Sequence, residues 1–210
     1  FHLMSKTLNP PYCIFDVGSN QGQFLKLVLS QIKTEDFAIH CFEPGIHTFK
    51  QLDLSAVKDQ RIILNNFGMS RSPGEACLYY DEAGSKLASL TRRNLSHVGI
   101  SFDKSEKVRL DTIDRYCAEK EIQCIQLLKI DVEGHELDVL EGAHEMLHSK
   151  RVRIVTFEFG QCNVDSRTFF RDFWFFFRGL DMRLLRITPT GYLFPVTRYE
   201  ELLEQFRVTN

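Results

Sequence analysis

Three ionisable residues alternate through an otherwise apolar stretch, Leu127-Leu128-Lys129-Ile130-Asp131-Val132-Glu133, and Gly134-His135-Glu136-Leu137 follows at once. On an extended strand this alternation sets Lys129, Asp131 and Glu133 on one side and Ile130 and Val132 on the other. Charges on an apolar strand are costly unless they pair or do chemistry. The stretch therefore offers either a structural ion pair between Lys129 and a carboxylate, or a general base drawn from Asp131, Glu133 and His135, whose imidazole ordinarily titrates near neutrality. Oxygen and nitrogen donors at these three positions could also suit a metal, but the spacing is not diagnostic and no metal is expected.

A second chemical element is Asp16-Val17-Gly18-Ser19-Asn20-Gln21-Gly22, at the junction of an apolar run and a helical pattern. Gly18 lets the backbone turn tightly beside a ligand, Gly22 suits close helix packing, and a helix N-terminus offers free N–H groups to an anion. With no ligand, the same residues would make a plain strand-to-helix turn. Glu43 closes the next apolar run, where an acid can accept both hydroxyls of a ribose. A dinucleotide site would read G-x-G-x-x-G at the first turn, and this turn does not. Asp, Gly, Asn and Gly in that order suit a ligand with an amino-acid group, its ammonium near Asp16 and its carboxylate at the helix N-terminus. S-adenosylmethionine, an adenosine joined to an amino acid, fits both ends.

The elements that must position these groups alternate between strand and helix, which implies a parallel sheet covered on both faces. Apolar runs predict strands at 12–17, 37–42, 61–64, 76–80, 107–110, 125–132 and 152–157. Helical spacing predicts helices at 24–32, 47–57, 112–120, 135–148 and 168–177, with Asp111 or Thr112 capping the third. The last of these is aromatic on nearly every side and is expected to be buried on more than one face. Segments 182–187 and 192–196 flank Thr188-Pro189-Thr190-Gly191 and read as a hairpin. Between them all, 81–107 is polar and aperiodic, as a lid over a substrate would be. It contains Ser85, Ser89, Arg92 and Arg93, and the two arginines could attract an anionic acceptor.

Composition narrows the class. The 210 residues carry 26 Lys+Arg against 28 Asp+Glu, a formal charge of −2, so there is no basic excess of the kind a nucleic-acid duplex binder shows. Hydrophobic residues at 43% and charged residues at 26% are globular proportions. Without repeats or linkers, a single domain over 1–210 is expected. The longest aromatic run, 173–177, falls far short of the ~20 residues of a membrane span. Six scattered cysteines without a C-x-x-C read as reduced, which favours a cytoplasmic location. The chain opens at Phe1 and reads as a trimmed fragment, so a missing signal peptide carries little weight.

Taken together, these segments resemble the FkbM family of S-adenosylmethionine-dependent methyltransferases. The specific part is Leu128-Lys129-Ile130-Asp131-Val132-Glu133-Gly134-His135-Glu136 with Val139-Leu140-Glu141-Gly142-Ala143. The glycine turn, Phe42-Glu43-Pro44, the stretch 65–70, Thr112-Ile113-Asp114, Phe157-Glu158-Phe159, Gly191 and Val208-Thr209-Asn210 support it. The resemblance implies an α/β fold, the Rossmann-like class I methyltransferase, with a mostly parallel seven-stranded sheet, helices on both faces and a C-terminal antiparallel hairpin. It implies methyl transfer to an oxygen, often a sugar or natural-product hydroxyl, and so a small-molecule or glycan acceptor. By position, Asp16, Gly18, Asn20 and Gly22 would hold the amino-acid end of the cofactor, Glu43 the ribose, and Phe67 and Gly68 the adenine. Phe67 is bulkier than the small residue expected there. Asp131 would lie beside the sulfonium, and Asp131 or Glu133 is the expected base ahead of His135 and Glu158. Two other classes stay open: a non-catalytic nucleoside-binding module, and a nicotinamide-dependent oxidoreductase, against which the absent G-x-G-x-x-G counts. A nucleic-acid methyltransferase would want an N-P-P-Y-type turn where Asp131-Val132-Glu133-Gly134 stands.

Overall fold

The structure is a computed structural model describing residues 2–56, 58–188 and 190–205. In chain order its elements are α1 (His2–Thr7), β1 (Tyr12–Val17), α2 (Gln23–Gln31), β2 (Phe37–Phe42), α3 (Ile46–Ser55), β3 (Ile62–Asn65), β4 (Gly68–Met69), β5 (Gly74–Tyr80), β6 (Lys104–Asp111), α4 (Ile113–Glu119), β7 (Ile125–Ile130), α5 (Glu136–Glu141), α6 (His144–His148), β8 (Val152–Phe157), α7 (Cys162–Ser166), α8 (Phe170–Gly179), β9 (Leu185–Ile187) and β10 (Leu193–Pro195). Val57, Pro189 and residues 208–210, which figured in the sequence reading, lie outside the described residues.

The central sheet runs β3-β2-β1-β7-β8, every pair parallel. The chain builds outward from β1 to β3, then returns to the other side of β1 for β7 and β8. Strand order thus reverses between β1 and β7, and an open parallel sheet leaves a crevice beyond the carboxyl ends at such a point. Successive strand residues point to opposite faces, and each face has its own apolar layer. Ile14, Ile39 and Leu127 pack with Leu25 and Val28 of α2 and Leu52 of α3. Phe15, Phe42 and Leu128 pack with Ile113 and Tyr116 of α4, Val139 of α5 and Phe173 of α8. Burial on both faces explains why β1 and β2 read as almost continuous apolar runs.

The fold class stands, with a change in strand count: the central sheet has five strands where seven were expected. β9 and β10 pair with each other as a separate antiparallel ribbon. Each is three residues long and leaves Leu185, Ile187 and Phe194 exposed, so neither reaches the core. The irregular middle builds a second small sheet, β4-β6-β5.

Two element boundaries and the burial of one helix differ most from the expected ones. The strand expected over 125–132 ends at Ile130, because Glu133 and Gly134 turn the chain with φ of 54° and 102°. The helix expected over 135–148 breaks at Gly142-Ala143. A Cβ on Gly142 would lie 2.0 Å from the Ser70 carbonyl oxygen, and the Asp114 carboxylate accepts from the Glu145 and Met146 N–H groups to start α6 afresh. α8 buries one face, not several: Phe170, Phe173 and Phe177 point inward, while Phe175 is 65% exposed. Thr112 is the cap of α4, accepting from the Arg115 N–H. All six cysteines are free thiols.

Candidate functional site

A cavity of about 260 Å³ lies at the carboxyl ends of β1, β2 and β7. Gly18 brings its walls together. Its φ is +77°, and a Cβ there would sit 1.8 Å from the Asp131 carbonyl oxygen, so only glycine lets the turn after β1 lie against the end of β7. Asn20 follows at φ 47° and turns its N–H to Glu43. The Glu43 carboxylate accepts from Asn20 N at 3.0 Å and from Gly45 N at 2.9 Å. Burial pushes its carboxyl up to about 7, although both N–H groups pull it back. Each carboxylate oxygen carries two lone pairs, so Glu43 keeps acceptor capacity on the cavity side.

Lys129 organises the neighbouring strand ends. Its ammonium lies 3.0 Å from Asp16 Oδ1 and 3.5 Å from Asp131 Oδ2, and donates to the Gly18 carbonyl at 2.9 Å. Burial draws Lys129 downward, but Asp16 and Asp131 hold its ammonium above the ordinary value. Asp16 is fully buried; burial pushes its carboxyl up, against the opposing charge of Lys129. The ion-pair reading of Lys129 is thus realised chiefly with Asp16, while Asp131, with a side chain 42% exposed, faces the cavity.

Glu133 is not a partner of Lys129. The turn at positive φ directs it to Arg93, whose Nη1 donates to Glu133 Oε2 at 2.9 Å while its Nε meets Asp165 Oδ2 at 3.2 Å. The Arg93 side chain is only 5% exposed. Burial pushes Glu133 up to about 7 even with Arg93 pulling it down. Glu136, two residues past Gly134, is fully buried and accepts from the Val132 and Gly134 N–H groups, both at 3.1 Å, and so fixes the shape of the turn. The sequence reading gave Glu136 no role; its signal was an acid just beyond a glycine at a strand-to-helix turn.

Of the segment expected as a lid, Ser85, Lys86, Ala88 and Leu90 line the cavity, and residues from 104 onward belong to β6. The segment is fastened at several points. Ser89 exchanges backbone hydrogen bonds with Tyr79, its hydroxyl donates to the Glu133 carbonyl at 2.7 Å, and Thr91 meets His135. Of the predicted site residues, Gly18, Asn20, Glu43, Gly68, Asp131, Glu133 and His135 line the cavity.

Asp16, Gly22 and Phe67 do not line it. Asp16 lies beneath the floor with Lys129. Gly22 caps α2 and packs on Leu52 of α3, which a Cβ would approach to 2.9 Å. Phe67 turns into the core against Phe42 and Tyr116, with the Arg109 guanidinium 4.3 Å over its ring. Neither arginine of the pair Arg92-Arg93 offers a free cation. Arg93 is spent on Glu133 and Asp165, and Arg92 reaches away to Asp103 and the Phe102 carbonyl. The cation on the cavity wall is Lys86, which the sequence reading passed over.

The family described as "Methyltransferase FkbM domain" matches residues 16–184. "Hexuronic acid methyltransferase AglP" of Haloferax volcanii is 28% identical over 148 residues, covering 70% of this chain. The chain spans 56% of the length of that relative. A solved structure, methyltransferase FkbM from Methylobacillus flagellatus KT, is 17% identical with a TM-score of 0.44, covering 69% of this chain and 32% of that one. No helix among the described residues is long and apolar enough to cross a membrane.

Proposed function

The chain belongs to the FkbM methyltransferase family, and from that membership we propose that it binds S-adenosylmethionine in the cavity beside β1 and transfers the methyl group to an oxygen of a sugar or related hydroxylated acceptor. The observation that carries this reading is Glu43, a buried carboxylate with unused acceptor capacity at the end of β2, facing a turn where Gly18 leaves no side chain in the way. The donor set suits the cofactor. Glu43 would take the ribose hydroxyls, the Gly18–Asn20 turn the amino-acid end, and Gly68 the base. Four carboxylates, from Glu43, Asp131, Glu133 and Glu158, line the cavity with Lys86 and His135. That acidic surplus favours a donor whose sulfur is cationic.

When bound, S-adenosylmethionine supplies an electrophilic methyl group on a sulfonium. The protein's own task is alignment, worth roughly 7–11 kcal/mol in the best intramolecular models, together with exclusion of water and acceptance of the acceptor's proton. A cavity of about 260 Å³ is smaller than the ~300–1,000 Å³ of typical small-molecule sites. Donor and acceptor together would need the stretch that carries Ser85, Lys86, Ala88 and Leu90 to move outward. The sugar acceptor is supported by the hexuronic acid in the name of the archaeal relative, with Lys86 on the wall as the cation for an acidic sugar.

Calorimetric titration tests the reading. S-adenosylmethionine and S-adenosylhomocysteine are expected to bind with micromolar affinity, NADH not at all, and Glu43→Ala to weaken both sulfur ligands about tenfold or more. A folded, ligand-free chain that binds neither would overturn the proposal, and NADH binding would point to an oxidoreductase.

A further inference from the structure

The two ring nitrogens of His135 are engaged by groups of opposite kind. Nδ1 lies 2.6 Å from Asp138 Oδ2, and a carboxylate only accepts, so the ring proton sits on Nδ1. In the neutral ring Nε2 is then an acceptor, and its donor is the Thr91 hydroxyl at 2.9 Å. Asp138 is itself held from behind by Arg71, whose Nε donates to Oδ1 at 2.7 Å. Burial works against the charge on Asp138, but the hydrogen bonds from His135 and Arg71 hold its carboxyl below the usual range.

Of the three other expected bases, Asp131, Glu133 and Glu158, the first two face cations. Glu133 Oε2 is bound by Arg93, and Asp131 lies 3.5 Å from the Lys129 ammonium. A proton taken by Glu133 would leave the buried Arg93 guanidinium short of a partner, and one taken by Asp131 would do the same to Lys129. His135 lines the same cavity, and its acceptor nitrogen is covered only by a neutral hydroxyl. That hydroxyl belongs to the overlying segment, two residues from each of its anchors at Ser89 and Arg93.

We propose that His135 is the general base of the methyl transfer, that Asp138 positions it through Nδ1, and that Thr91 occupies the place of the acceptor hydroxyl until the segment lifts. The proposal rests on the methyltransferase reading above. In the step itself the acceptor oxygen bonds to the methyl carbon as the carbon–sulfur bond of the donor breaks, its electron pair staying on sulfur. The hydroxyl proton passes to Nε2. The imidazolium so formed is balanced by Asp138 and afterwards releases its proton to water. Thr91 serves as a latch that a correct acceptor replaces in kind, so an acceptor lacking a hydroxyl at that point does not release it.

The tautomer is measurable without any acceptor. Long-range proton–nitrogen NMR on the histidine-labelled chain, with the His135 signal assigned through its loss in His135→Gln, is expected to show Nδ1–H, and Asp138→Asn to move the ring toward Nε2–H. With methyl β-glucuronide as acceptor probe and radiolabelled donor, His135→Gln is expected to lose about 10²–10⁴-fold in kcat while S-adenosylhomocysteine affinity stays within about twofold. Added imidazole should restore turnover to His135→Gly, which a structural role would not allow. Thr91→Val should lower the acceptor KM, since no hydroxyl then has to be displaced. An Nε2–H ring in the unaltered chain, or a His135→Gln chain with undiminished turnover, overturns the assignment of His135 alone. A chain that binds no S-adenosylhomocysteine, or turns over no sugar, overturns the methyltransferase reading and this proposal with it.

Discussion

Removing Arg93 should destabilise the fold in a manner that depends on pH, and the structure sets the size of the effect. To isolate one partner, the background is Asp165→Asn, whose amide oxygen still accepts from the Asn94 N–H, and the perturbation is Arg93→Met. In the native pair Glu133 is 23% exposed and Arg93 only 5%. Truncating one member of a fully buried pair costs about 3–5 kcal/mol because a charge is left without a partner. Here Glu133 can escape by taking a proton, since its carboxyl already stands near 7 against 4.5 in the unfolded chain. Its folded value is raised, so its charge is disfavoured by folding, and the penalty grows as pH rises through about 7. At pH 8 the variant has to keep a charge unpaired or a proton bound against the solution, and partial exposure discounts the cost to about 2 kcal/mol. At pH 5.5 Glu133 is protonated in both chains, Arg93 is itself the unpaired buried charge, and its replacement should be neutral or slightly stabilising. Urea unfolding at the two pH values reads the difference, which corresponds to about 4–8 °C in Tm at pH 8 for a chain of this size. An equal loss at both values would refute the coupling between Glu133 and Arg93.

Three further outcomes are expected. Gly18→Ala combines a left-handed φ with a Cβ 1.8 Å from a backbone oxygen, and should cost about 3 kcal/mol or more by thermal unfolding; a fall in Tm of under 2 °C would show that β1 and β7 separate easily. Phe173→Ala removes a fully buried ring stacked 4.6 Å from Phe157 and should cost about 3–5 kcal/mol, whereas Phe175→Ser on the exposed side of α8 should stay within about 0.5 kcal/mol; equal losses would contradict the one-sided burial of α8. Burial lowers His40 to about 4, below its unfolded value near 6.5. Its share of stability is therefore fully present above about 6.5 and lost as pH falls toward 4, about 3 kcal/mol in all. The stability advantage of the native chain over His40→Phe should accordingly shrink between pH 7 and pH 4.5, and a constant difference would rule this out.

How far the site could be read from residues alone follows from which interactions are local. β1, β2 and β8 begin and end where the apolar runs do, because a strand buried in a parallel sheet writes its limits into consecutive residues. The Thr112 cap is likewise a matter of three residues. α1, α7 and the two-residue β4 leave too short a pattern for any periodicity to register.

The turn after β7 escaped the sequence pattern for a different reason. Alternation put Lys129, Asp131 and Glu133 on one side only while the strand continued, and it stops at Ile130, so backbone angles rather than parity aim Glu133. Arg93 reads as one charge in a polar loop because its partners stand 40 and 72 positions away. Thr91 is 44 positions from His135, whereas Asp138, at three, is the one member of that relay within local reach. The floor of the site, built from strand ends and a glycine turn, is thus a local property of the chain. The wall that closes it, with the latch on His135 and the clamp on Glu133, exists only after the segment over 81–103 has folded back across the sheet. On the proposed function, substitutions within that segment should therefore alter acceptor choice and turnover while leaving the floor intact, which a comparison of S-adenosylhomocysteine affinity with acceptor KM across Lys86→Ala and Thr91→Val would measure.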